Sequence, residues 1–201
     1  MARALLLTVP ILLIASVVLV SLLGWLSKPL KRALALNPYR VRHSGQIYRL
    51  LTAGWLHSDV THLFFNMLTL YFFADQVLRV LGPTRFLVLY VSAVVVAYIP
   101  TTLRHMRNPE YNSLGASGAV AAVIFSAVLL HPDLKMSLMF IPILVPGLVF
   151  AGAYLAYSAW HSYAAGDGIN HDAHFSGAVY GALLTYLFEP ARVERTLKQM
   201  F

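Results

Sequence analysis

The run LLLTVPILLIASVVLVSLLGWL, Leu5 to Leu26, carries no charged side chain over 22 residues, and it is the first of several such runs in a chain of 201. A helix of about 20 apolar residues crosses a hydrocarbon core of about 30 Å. Inside that core no water satisfies the backbone, so an apolar run of this length is stable there as a helix. The apolar stretches fall at Leu5–Leu26, Val60–Val80, Arg85–Ile99, Ser117–Leu130, Leu138–Trp160 and His171–Phe188. With 59% hydrophobic and 11% charged residues, the chain is too apolar for a water-soluble domain of its size. The expected fold is an all-α polytopic membrane protein, one domain over residues 1–201, with six spans and both termini on one side. The first run has Arg3 before it but exceeds a signal h-region and lacks a small-x-small site followed by a soluble domain, so it reads as a retained span.

The charge pattern points to lipid. Net charge is +7, from 15 Lys and Arg against 8 Asp and Glu, and most of these groups sit in the connectors. Basic residues there meet anionic headgroups, and nucleic-acid binding is a poor reading of them. An inside amino terminus puts Arg3, Arg79, Arg85, Lys135, Arg192, Arg195 and Lys198 on the inner side, and Lys28, Lys31, Arg32, Arg40, Arg42, Arg49, Arg104 and Arg107 on the outer. Counting alone leaves the orientation undecided. The connector Ser27–Asp59 is long enough for structure of its own on the headgroups. The absence of Cys excludes disulfides, thiolate chemistry and Cys-based metal sites. Pro142 and Pro146 should bend or interrupt the start of the fifth segment unless its helix begins after them.

The fourth segment is the shortest. Fourteen helical residues rise only about 21 Å, so Ser117 is expected below the membrane surface, with NPEYNSLGA descending into the protein before it. Spans two, four and six run in the same direction, so His62, Ser117 and His174, each near an amino end, can converge on one cavity. His62 and Asn66, four apart in THLFFNM, share a helix face. They can make interhelical hydrogen bonds or donate to a developing negative charge. A neutral His174 can accept the Ser117 proton. Gly115 and Gly118 permit close backbone approach, and a helix beginning at Ser117 exposes a backbone N–H. Ala173, Gly177 and Gly181 recur every fourth residue as a smooth face for span four. His171 and His174 are also spaced for a metal, but no further ligands accompany them and HExxH is absent, so no metal or cofactor is expected. Asp167 and Asp172 lie near His174, where solvation or capping competes with a role in orienting it.

These residues resemble the rhomboid family of intramembrane serine proteases. The resemblance runs through IYRLLTAGWLH, HLFFNM, LGPTRFLVLY, NSLGASGAV and AHFSG, in that order along most of the chain. It implies a six-helix rhomboid-like core with a membrane-associated connector between helices one and two. Ser117 then matches the GxSG nucleophile, His174 the base, and His62 with Asn66 the HxxxN pair that assists the Ser117 N–H at the oxyanion. His57, Gly115, Gly118, Gly177 and Gly181 fall into supporting places. Tyr48-Arg49 stands where many members have Trp-Arg, and Ser176 where Gly is frequent. The implied partners are transmembrane protein substrates and membrane lipids, and the implied site is a prokaryotic cytoplasmic membrane with both termini cytoplasmic. The connectors before span two and after span five, including Ala164 to Asn170, would control access. A noncatalytic rhomboid-like protein that binds or escorts membrane chains is the alternative, and a transporter a more distant one.

Overall fold

The computed structural model describes residues 2–137, 143–164 and 168–199. Helix α1, Ala2–Leu26, packs along α5, Val60–His105. A continuous α5 would be roughly 69 Å long, twice a hydrocarbon core. Gly82 prevents this: at φ 74° and ψ 168° it leaves the helical region, and Pro83 restarts the chain as a second helical segment. Only glycine takes that backbone without strain. By length and apolarity, two described helices qualify as membrane-crossing, the Thr8–Leu26 stretch and Val60–His105.

Between α1 and α5 the chain builds a helical platform. Helix α2, Lys28–Leu34, is capped by Ser27, and α3, Pro38–Ser44, by Asn37, each with proline in the first turn where its missing N–H costs nothing. Gly45 stops α3 in the left-handed region at φ 65°. Helix α4, Arg49–Thr52, runs into a 3₁₀ turn, Ala53–Trp55. Arg49 is the largest fully buried side chain of the described residues. Its guanidinium donates to Gln46 Oε1 at 2.6 Å, Arg32 O at 2.8 Å and Ala35 O at 2.6 Å, tying α2 to α4. Burial holds it below the usual arginine range.

Helix α6, Ser117–Leu130, occupies the centre, buried on nearly every side between α5 and α8, His171–Phe188. A helix apolar all round belongs inside the core. Small residues set the spacing. A Cβ at Gly177 would lie 2.1 Å from Gly118 O, and one at Gly181 would lie 2.4 Å from the Ala122 backbone. Gly118 is closed off in the same way by Ala97 Cβ at 2.5 Å and Ala173 O at 2.8 Å. The hydroxyls of Thr185 and Ser126 meet across α8 and α6 at 2.8 Å.

Two segment boundaries need correction. The fifth was expected to start at Leu138, but helix α7 is Gly147–Ala164. Val145–Pro146 (β2) instead pairs antiparallel with Lys135–Met136 (β1), so the helix begins directly after Pro146. Proline removes the N–H a helix interior needs, and this outcome follows; Pro142 lies outside the described residues. The third segment, expected at Arg85–Ile99, continues to His105, because polar Thr101, Thr102 and Arg104 are accommodated in the last turns. Helix α9, Pro190–Lys198, packs under α6 and α8, where Arg192 Nε donates to Leu130 O at 2.9 Å.

Candidate active site

A cavity of about 1180 Å³ opens among the amino ends of α5, α6 and α8 and the side of α7. His62, Asn66, Ser117 and His174 all line it, together with Tyr154. His174 Nε2 stands 2.8 Å from Ser117 Oγ. Ser117 is the first residue of α6 and His174 lies in the first turn of α8, so the close glycine packing of the two helices sets that distance. Tyr154 of α7 lies nearly parallel to the His174 imidazole, with centroids 6.3 Å apart at 24°.

The second pair comes from α5. Asp59 caps that helix by accepting from His62 N at 2.8 Å, and the Ser58 hydroxyl, followed by this cap, holds the Asp59 carboxyl below the usual range. Asn66 Nδ2 donates to His62 O at 2.9 Å, which uses one of its two amide protons. His62 Nδ1 contacts Ser58 Oγ at 3.0 Å. Gly115 has φ 133°, and a Cβ there would strike the His62 ring at 2.7 Å, so the imidazole lies on the bare glycine of the nucleophile loop.

The loop into Ser117 is pinned on all sides. Leu36 and Ser113 exchange both backbone hydrogen bonds, and Asn37 Nδ2 donates to Pro109 O and Tyr111 O. Gly115 N donates to Ala53 O at 3.0 Å, and the Tyr98 hydroxyl donates to Gly115 O at 2.8 Å. Asn170 caps α8 through Ala173 N, accepts from Thr101, and donates to Ser113 Oγ at 3.0 Å. Sequence reasoning missed Asn37, Tyr98, Thr101 and Asn170, since each is an ordinary polar residue whose partner is distant in the chain. Asn170 alone left a signal, as an Asn directly before an apolar helical run.

Other candidates are engaged differently. Asp172 accepts from Arg104 Nη1 at 2.9 Å and from the Ser162 hydroxyl, on the side facing the end of α5 and α7. Asp167 lies outside the described residues, as does Gly166. The His171 and His174 rings are 5.8 Å apart at 75°, and no cluster of three or more His, Asp or Glu suited to a metal occurs among the described residues. Ser176 Oγ lies 2.9 Å from Ala97 O and 2.5 Å from Asp172 O, sharing its one proton between the two carbonyls, so its hydroxyl ties α8 to α5. A second Ser-His contact, Ser21 Oγ to His57 Nδ1 at 3.0 Å, is of another kind: both residues are fully buried and neither lines the cavity.

The arrangement offers a hydroxyl, a base against it, a helix N-terminal amide beside it, and a carboxamide and an imidazole across a water-accessible space. That set is suited to acyl transfer. Comparison with known proteins agrees with it. A family model described as "Rhomboid domain" matches residues 44–191. The chain is 32% identical over 151 residues to "Putative rhomboid protease YdcA" of Bacillus subtilis, covering 72% of this chain and 68% of that protein. It is 29% identical over 156 residues to "RHOMBOID-like protein 12, mitochondrial" of Arabidopsis thaliana, covering 70% of this chain and 46% of the relative. It is 26% identical over 143 residues to "Presenilin-associated rhomboid-like protein, mitochondrial" of Homo sapiens, covering 66% and 35%. The chain thus spans less than half the length of the latter two relatives. The match over residues 44–191 takes in the capping of α5, the loop before Ser117 and the whole of α8, and on it this membrane-associated helical chain belongs to the rhomboid family.

Proposed function

We propose that the protein is an intramembrane serine endopeptidase, cutting peptide bonds in or near transmembrane helices of other membrane proteins. The observation that carries this reading is the 2.8 Å contact between His174 Nε2 and Ser117 Oγ at the wall of the cavity. His174 takes the Ser117 proton as Oγ attacks the scissile carbonyl. The oxyanion is met by the Ser117 N–H, in the first turn where helix amides lack an intrahelical acceptor, by the second Asn66 amide proton and by His62. His174 then protonates the leaving amine, and water resolves the acyl-enzyme through the same base. The first step needs neutral His174 as the acceptor of the Ser117 proton.

Six crossings follow in this reading, from α1, the two parts of α5 on either side of Gly82, α6, α7 and α8. Helix α6 is the short one, beginning within the membrane, and the platform α2–α4 rests on the headgroups. Both termini face the cytoplasm of a prokaryotic cell, and the surrounding lipid is a constant partner. A substrate helix unwinds locally at the cavity, because a regular helix keeps its carbonyls in hydrogen bonds.

Reconstitution with single-span substrates tests the function. Cleavage by the wild type, lost in folded Ser117→Ala and His174→Ala, is the expected result. Binding without cleavage assigns the chain to noncatalytic escort instead.

A further inference from the structure

The buried Ser21–His57 contact lies outside the cavity, yet it ends on the nucleophile loop. His57 Nε2 accepts from Ala116 N at 3.3 Å. A backbone amide only donates, so Nε2 carries no proton and the neutral ring has its proton on Nδ1. That proton points at Ser21 Oγ, 3.0 Å away. The Ser21 hydroxyl in turn donates to Trp55 O at 2.9 Å, so every proton in the series has one acceptor. The sequence of donors runs from Ala116 N–H to His57, from His57 to Ser21, and from Ser21 to the Trp55 carbonyl.

What Nε2 holds is one half of a peptide group. The other half, Gly115 O, accepts from the Tyr98 hydroxyl at 2.8 Å. The Gly115–Ala116 peptide plane is therefore gripped at both ends, directly before Ser117. Its rotation sets where the Ser117 amide and Oγ point. Gly115, at φ 133°, could not hold the plane by its own preference. A charged or Nε2-protonated His57 would oppose two donors at Ala116 and release the plane. Burial, and after it the neighbouring His62, push His57 down to about 3, in line with a ring kept neutral.

We propose that Ser21 is a positioning residue of the active site: it fixes His57 as the Nδ1-protonated tautomer and so orients the peptide from which Ser117 projects. Ser21 touches no substrate; it acts through His57, and the proposal rests on the reading of Ser117 as nucleophile. Trp25 Nε1, donating to His57 O at 2.8 Å one turn further along α1, holds the His57 backbone while Ser21 sets the ring.

The test uses the full chain in detergent micelles, labelled with nitrogen-15 at histidine, as wild type, Ser21→Ala and Ser21→Thr. Nitrogen chemical shifts report the His57 tautomer directly. Cleavage of a dye-labelled single-span polypeptide gives kcat and KM, and thermal unfolding reports stability. The expected wild type shows His57 protonated on Nδ1 alone. In Ser21→Ala the Nε2-protonated form appears and kcat falls about tenfold at a KM changed less than twofold, while Ser21→Thr restores both tautomer and kcat. A wild-type His57 protonated on Nε2, or a Ser21→Ala protein with unchanged tautomer and kcat, overturns the proposal. If Ser21→Thr does not fold, the wild-type tautomer and the Ser21→Ala rates still decide. A wild type with the expected tautomer that cleaves nothing defeats the protease reading and with it the positioning role; an active wild type with the other tautomer defeats only the latter.

Discussion

Gly177→Ala adds one methyl group where α8 meets α6. Its carbon would sit 2.1 Å from Gly118 O, 2.6 Å from the Gly118 carbonyl carbon and 2.9 Å from Gly118 Cα. All three are backbone atoms of a central helix and have no rotamer in which to give way. To reach even a tight contact, α8 must withdraw by about 1 Å, and overpacking of this kind costs about 1–3 kcal/mol. The same withdrawal acts on the site, because His174 lies one turn before Gly177. The Ser117–His174 contact of 2.8 Å would lengthen toward about 3.7 Å, beyond a useful hydrogen bond. General-base assistance contributes roughly 10²–10⁴-fold, so cleavage should fall at least about tenfold even where the protein is fully folded. Thermal unfolding in detergent and cleavage of a single-span substrate, read well below the melting point, measure the two effects separately. Gly152→Ala is the control: nothing lies within 4 Å of a Cβ on that exposed α7 position, and the change gains up to about 1 kcal/mol of helix propensity. A Gly177→Ala protein within about 0.5 kcal/mol of wild type and equally active would refute the reasoning from backbone contact.

Asn66→Ala removes the carboxamide facing the cavity; kcat should drop roughly 10²-fold with KM little changed, as for loss of one oxyanion donor, and a KM effect alone would argue for substrate binding instead. Arg49→Ala leaves Arg32 O, Ala35 O and Gln46 Oε1 without their donor and should destabilise the protein by roughly 2–4 kcal/mol. Arg49→Lys should recover only part of this, having no planar fork to serve three acceptors; equal melting points for all three proteins would contradict the platform account. His57 binds a proton more weakly folded than unfolded, so its stabilisation is complete above about pH 6.5 and is lost as pH falls toward about 3, at about 1.4 kcal/mol per unit. Unfolding followed from pH 7 to 4.5 should show a shallower acid slope in His57→Gln than in wild type, and parallel slopes would place the acid sensitivity elsewhere.

The sequence was most legible where one physical constraint acts over many residues. Helix existence followed from apolar run length, and α6 and α8 coincide with the segments read from it. The fifth segment misled because Leu138 to Pro146 is as apolar as a span, and hydropathy carries no information on where two prolines let a helix begin. The break at Gly82 was visible only as a Gly-Pro pair inside nearly continuous apolar sequence. Within the site, helix spacing placed His62 with Asn66, and Ser117 and His174, each read near the amino end of its helix, line one cavity. The supports of the Ser117 loop were not legible. Asn37, Tyr98 and Asn170 contact it from as far as 75 positions away, Ser21 reaches it only through His57, and a long-range hydrogen bond leaves no periodic trace. Ser21 was further hidden inside an apolar run, where a lone serine ordinarily bonds to its own helix.

Covalent labelling of Ser117 tests the central claim most directly. A fluorophosphonate reacts only with a serine that an adjacent base deprotonates, so intact mass followed by peptide mapping reads both nucleophile and base, with no substrate identified. The account predicts a single adduct on Ser117 in the folded wild type, at least about 10²-fold slower in His174→Ala and absent in Ser117→Ala. An adduct on any other serine, or labelling of Ser117 at the same rate without His174, would contradict it.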